Sequence, residues 1–173
     1  MTAILQKGNS ILTQVAREIK REEISSKYVR DTIERMRDAL NKEEDGFAIA
    51  APQIGESIRI FLVSGKPLGQ IKGVEGSLPD RVYINPVIIK RSKETKMMEE
   101  GCLSVRSWFG FVERNKKIKI EALDQDGKVF QEGASGVLSQ VFQHEIDHLD
   151  GILFTDKAVN LKKETPKDLE HEK

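Results

Sequence analysis

The sequence predicts an α+β domain in which antiparallel sheets pack around one central, metal-binding helix that carries an H-E-x-x-H pattern. Three observations predict it. Strand-like runs outnumber helical ones along the chain. Lys117-Ile118-Lys119-Ile120-Glu121-Ala122-Leu123 alternates as a half-buried strand does, and Asp126-Gly127 follows it as a hairpin turn into Lys128-Val129-Phe130. From about Ser135, helical spacing takes over and holds Gln143-His144-Glu145-Ile146-Asp147-His148 late in the chain.

At 173 residues the chain reads as one domain over 1–173, with about 160–173 as a polar tail. Lys+Arg and Asp+Glu each number 28, so net charge is zero, which argues against a dedicated nucleic-acid binder. No apolar run approaches a membrane span, and the first residues soon turn polar, unlike a signal peptide. One cysteine, Cys102, excludes an intramolecular disulfide and suits a reducing cytoplasm. The expected state is a cytoplasmic monomer with no DNA or membrane partner.

Taken in order, Ile11, Leu12, Val15, Ala16 and Ile19 have helical spacing, which predicts a helix over 10–20 capped by Asn9 or Ser10. A second helix is predicted over 26–40, with Val29, Ile33, Met36, Arg37 and Leu40 on its face. The charged turn 41–45 reads as its solvated end. Residues 46–53 are small and apolar and precede a strand at 58–63. The Gly- and Pro-rich stretch 64–80 reads as a long surface loop. Residues 82–89 form the next strand, with Pro86 marking an edge or a bulge.

The chemistry sits on the late helix. At about 100° per residue, His144 and His148 lie one turn apart, so both imidazoles reach a single ion. Glu145 lies beside that face, placed to deprotonate a water there without becoming a ligand. Val137, Leu138, Val141, His144, Glu145 and His148 share one stripe, while Ser139, Gln140, Gln143 and Asp147 fall opposite it or at its edge. The alternative is a pair of core histidines that only satisfy hydrogen bonds. A catalytic ion needs a third protein ligand. Asp150, Asp156, Glu164, Glu170, His171 and Glu172 are available downstream, and Cys102 upstream, although a free cysteine is more often a small buried hydrophobe.

Glu100-Gly101-Cys102-Leu103-Ser104 and the run from Gln143 through His148 to Leu149-Asp150-Gly151, together with 46–53, resemble the three motifs of the peptide deformylase family, in that family's order. The resemblance extends to about Phe154. It implies that Cys102, His144 and His148 hold one divalent metal ion, ferrous iron in the cell, with zinc, nickel or cobalt able to replace it. It implies that Glu145 is the general base and then the acid, and that the Gln53 side chain and the Leu103 N–H bind the oxyanion. It also implies a substrate groove built from Phe47, Ala48, Met98, Gly101, Val137 and Val141. The implied reaction removes the N-formyl group of formyl-methionyl nascent peptides and releases formate, with the ribosome exit as one place to meet them. Arg114 matches a family arginine able to brace Asp147.

Two positions depart from the family pattern. Ala48 stands at the second glycine of the first motif, and Arg106 stands at a proline, followed by Phe109 near an expected arginine. Two rival readings are a zinc endopeptidase with a downstream third ligand and a binding protein with a closed structural zinc site.

Overall fold

The computed structural model describes residues 2–44, 46–73 and 78–164. The helices are α1 (Lys27–Leu40), α2 (Gly65–Lys72) and α3 (Gly136–Leu149). The strands are β1 (Ala48–Ala50), β2 (Ile60–Val63), β3 (Arg81–Arg91), β4 (Thr95–Cys102), β5 (Val105–Asn115), β6 (Lys117–Leu123), β7 (Val129–Ser135) and β8 (Val159–Lys163). They form one five-stranded sheet, in the order β1-β2-β3-β6-β7, and one three-stranded sheet, β4-β5-β8. Every adjacent pair of strands is antiparallel. Helix α3 touches β1, β2, β6 and β7 of the large sheet and β5 of the small one, so the expected architecture is the observed one.

Aromatic rings join α3 to the large sheet. Phe61 of β2 stacks on Tyr83 of β3 at 4.4 Å, and the Phe142 ring of α3 meets Tyr83 edge-on at 5.1 Å. Such pairs contribute about 0.5–1.5 kcal/mol each beyond their buried area. Helix α1 starts where Ser26 Oγ accepts the Val29 N–H at 3.2 Å, and Val29, Ile33, Met36 and Leu40 are buried along one face.

The expected helix over 10–20 is not one. A single 3-10 turn, Ser10–Thr13, leads into an extended strap. Leu12, Ala16 and Ile19 are buried at i, i+4, i+7 as one helical face would bury them, but Val15 is exposed and the backbone from Gln14 to Lys20 is not helical. The strap's backbone bonds to other elements instead: Ala16 N–H donates to Leu149 O at 2.8 Å, and Arg59 N–H to Arg17 O at 2.9 Å. It crosses α3 where Gly151 adopts φ 73°, and a Cβ there would lie 2.8 Å from the Thr13 backbone.

Two further expectations are corrected, and one alternative is resolved. Within the stretch read as a loop, 64–80, α2 forms around the buried Leu68; Pro67 is tolerated because first-turn N–H groups lack intrahelical partners anyway. Residues 74–77 lie outside the described residues. Pro86 marks a bulge and not an edge, because β3 sits between β2 and β6 with a register shift between Ile84 and Val87. There Asn85 takes φ 49° and binds Ile19 N–H and O through its side chain at 2.8 and 2.7 Å. Residues 159–163, partly read as polar tail, form β8 against β5. All five are exposed, so an edge strand here needs no apolar pattern. Residues 165–173 lie outside the described residues, with Glu170, His171 and Glu172 among them.

Glu56 ties α1 to the 3-10 turn Ala51–Ile54. It accepts Tyr28 OH at 2.6 Å and Arg35 Nη1 at 2.7 Å. Burial raises its pKa, but those two hydrogen bonds outweigh burial and hold it below the usual carboxylate range; burial and then Glu56 push Tyr28 up to about 12. A carboxylate with a lowered folded-state pKa stabilises the protein above its unfolded pKa, and that stability is lost as pH falls. Glu56→Gln should therefore cost about 1 kcal/mol at neutral pH, and the difference should close as pH drops below about 4. Urea denaturation of both proteins across that range checks it.

Candidate active site

Cys102 ends β4, and α3 holds His144 and His148 one turn apart against it. His148 Nε2 lies 3.2 Å from Cys102 Sγ, and one donor atom from each of the three residues lies within 4.8 Å of the others. The two imidazoles are near perpendicular, with centroids 4.9 Å apart at 77°. Burial opposes ionisation of the thiol, but His148 and His144 beside it outweigh burial and hold its pKa well below the ordinary value. Burial likewise opposes a charged His144, and Cys102 with Glu100 outweighs it, so His144 titrates well above its usual range. One sulfur and two imidazole nitrogens converging on a point fit a zinc- or iron-like ion. Among the described residues the downstream candidates do not join this group: Asp150 pairs with Arg59 at 2.8 Å, and Asp156 accepts Leu153 N–H at 2.9 Å.

A buried chain of charges fixes these donors. Glu100 Oε2 lies 2.8 Å from His144 Nδ1, which turns the other ring nitrogen inward. Arg114 donates to Glu100 through Nε and Nη2 at 2.6 and 2.8 Å, and through Nη1 to Asp147 Oδ2 at 2.6 Å. Lys157 Nζ completes the chain at 2.7 Å from Asp147 Oδ1. Glu100 is held down at about 2: burial raises its pKa, and Arg114 with His144 more than reverses that. The expected Arg114–Asp147 contact is present. The motif resemblance implies no role for Glu100, although it stands two residues before Cys102 on a strand, the spacing that shares a face.

The helix face is also corrected. Ser139, Gln143 and Asp147, read as lying away from the core, are buried, while Val137 is 47% exposed. The small sheet covers that second face. Ser139 Oγ and Gln143 Nε2 both donate to Asn115 O, at 2.8 and 3.0 Å, and Gln143 Oε1 accepts Asn115 N–H at 3.1 Å.

Glu145 is buried and its pKa is pushed up to about 7, chiefly by burial. Its Oε2 has no hydrogen-bond partner among the described residues. Gln53 is oriented by two neighbours: its Oε1 accepts Ala50 N–H at 2.8 Å, and its Nε2 donates to Ser104 Oγ at 3.1 Å. That same Nε2 lies 3.6 Å from Cys102 Sγ. Ser104 is the second residue with no role read from its motif.

These groups open on a cleft of about 900 Å³ formed by 42–44, Phe47 and Ala48, by 99–103 with Arg106, Ser107 and Phe109, and by α3. Phe47, Ala48, Gly101, Leu103 and Val141 line it, whereas Met98 and Val137 do not. Ala48 sits in β1 opposite Val63, so its methyl is accommodated in an ordinary strand. Phe109 lies over Gly101, where a Cβ would meet its ring at 2.7 Å. Arg106 makes a bidentate pair with Glu43 at 3.0 and 2.7 Å, so part of the turn read as a solvated helix end belongs to the cleft.

A cleft floored by a thiol of lowered pKa, two imidazoles and a buried carboxyl of raised pKa has the makings of a metal-assisted hydrolase. The family model described as polypeptide deformylase matches residues 1–164. Peptide deformylase from Fusobacterium nucleatum is 38% identical over 170 residues, covering 91% of each chain. Among solved structures, a class I type b peptide deformylase from Acinetobacter baumannii with Met-Ala-Ser bound superposes with TM-score 0.79 at 30% identity, covering 91% of this chain and 99% of that one. The Thermotoga maritima peptide deformylase gives 0.78 at 33% identity, covering 92% and 98%. The chain belongs to the polypeptide deformylase family, metal-dependent hydrolases that remove the N-formyl group from nascent polypeptides.

Arg114 is the cation between two buried carboxylates, so removing it leaves both short of a partner. Arg114→Met should cost about 3–5 kcal/mol in urea denaturation. Divalent-ion affinity, measured by competition with a chelator, should fall about 10- to 100-fold, because Glu100, which orients His144, loses the guanidinium that holds it in place.

Proposed function

We propose that Cys102, His144 and His148 hold one divalent ion and that Glu145 moves the protons of deformylation. The observation that carries this reading is the convergence of those three donors beside a buried carboxyl poised near neutrality. When bound, the ion supplies a water acidified toward neutral pH and a positive charge for the formyl oxygen. Glu145 takes the proton of the attacking water and delivers it to the departing amine, which leaves neutral as formate forms. Gln53 Nε2 donates to the developing oxyanion, with the Leu103 N–H as second donor. Removing one such donor costs about 3 kcal/mol of barrier.

The substrate is an extended formyl-methionyl peptide. β1 and β4 are each the outer strand of their sheet, and Ala48 and Gly101 on them face the cleft, which suits pairing with an added strand. The methionine side chain lies against Phe47 and Val141. In this reading the resident ion is ferrous iron on the family resemblance; the donor set also accepts zinc, nickel or cobalt. No described helix is long and apolar enough to cross a membrane. The cytoplasm and the ribosome exit are the proposed places of action.

Formate release from a formyl-methionyl dipeptide is the test. Glu145→Gln should keep its ion and lose most turnover, about 100-fold or more. Near-normal formate release by metal-loaded Glu145→Gln protein would sink the general-base role. Cys102→Ser should lose the ion on dialysis, since a neutral hydroxyl replaces a soft thiolate. Full retention by that variant would remove Cys102 from the ligand set.

A further inference from the structure

The charges cancel over the whole chain, but they are not evenly spread. Seven cations gather where β3 turns into β4 and β6 begins: Lys90, Arg91, Lys93, Lys96, Lys116, Lys117 and Lys119. All seven are exposed. Strand register brings them together: Lys90 stands directly opposite Lys119, and the Ser92 N–H donates to Lys117 O at 2.8 Å. Strand geometry puts neighbouring cations about 5–7 Å apart.

Among the described residues, most of them lack a counter-ion. Among the described residues only Lys116 reaches a carboxylate, Glu94 at 3.0 Å. The other nearby acids are engaged by neutral donors, Glu113 by Thr95 Oγ1 and Glu121 by Gln131 Nε2. Elsewhere Arg17, Arg35, Arg37, Arg59 and Arg81 all sit against carboxylates. Like charges directly opposed across a strand pair destabilise a sheet. The Lys90–Lys119 pair therefore weakens the free protein, and a closely spaced polyanion relieves it.

We propose that this corner, where the large and small sheets connect, is a docking surface for the phosphate backbone of a folded RNA. A dense field of cations, six of the seven without a carboxylate partner among the described residues, matches a phosphate backbone, the sequence-independent part of nucleic-acid binding. It lies on strands and a tight turn, with no amphipathic helix to lay into a lipid surface. The choice of RNA rests on the deformylase reading, which puts the enzyme where chains are made. None of the seven lines the cleft, and β4 alone separates Thr95 from Cys102 by about 23 Å, so a docked enzyme keeps its cleft free.

Fluorescence anisotropy with a labelled RNA duplex of about 16 base pairs tests this, using metal-loaded protein at about 50 and 200 mM salt. Wild type should bind, and more weakly at the higher salt. The triple variant K90Q/K93Q/K119Q should bind at least about tenfold more weakly, with a log–log salt slope shallower by about 2 to 3. A control of equal net charge, K20Q/K66Q/K128Q, should bind like wild type. The single variant Lys119→Gln should raise Tm by about 1–3 °C, because it removes the opposed charge. Equal loss in the control, no binding at low salt, or tighter binding to anionic vesicles than to RNA would overturn the proposal. Formate release from a short peptide should match wild type in the triple variant. That assay stands on the cleft alone, so failure of the deformylase reading shows there and failure of RNA docking does not.

Discussion

The ion pairs of Arg114 are the constraint on which the site depends. One guanidinium, 3% exposed, joins Glu100 of β4 to Asp147 of α3. Glu100 leads to His144, and the two residues after it lead to Cys102. Asp147 immediately precedes His148. One cation thus fixes the strand carrying the sulfur and the helix carrying both imidazoles. Burying such groups is costly unless every charge is paired, and here the pairing extends to Lys157 at the surface. The metal donors are held by electrostatics between the small sheet and α3 as well as by the turn of one helix.

Much of this was legible because it obeys local rules. The alternation in β6, the hairpin after it, the α1 face and the His144–His148 spacing each follow from a single period. Cys102 could not be chosen from spacing alone, since the register of β4 against α3 is a tertiary fact; the motif resemblance supplied it. Glu100 stayed without a role for the same reason, its partners lying 14 and 44 residues away.

The misreadings have physical causes too. Apolar residues at helical spacing in 10–20 anchor an extended strap because Leu149 of α3 and the segment Ser57 to Arg59 just before β2 supply its hydrogen bonds. Helix α2 was hidden by Pro67, which a first turn tolerates. Strand β8 is exposed throughout, and without a buried face nothing in its composition separates strand from tail. The second face of α3 looked polar because its Ser139, Gln143 and Asp147 bind Asn115, Arg114 and Lys157 rather than water.

The departures from the family pattern have local compensations. Arg106 closes onto Glu43 at the cleft, and Phe109 occupies the space that Gly101 leaves. Both act on the walls of the cleft and leave the floor unchanged. The most direct test of the site is absorption spectroscopy of the protein loaded with one equivalent of cobalt(II). The predicted result is a sulfur-to-cobalt charge-transfer band with the intense visible bands of a low-coordinate ion, the former lost in Cys102→Ser. A spectrum without a sulfur band, or one that Cys102→Ser leaves unchanged, would contradict a centre built from Cys102, His144 and His148.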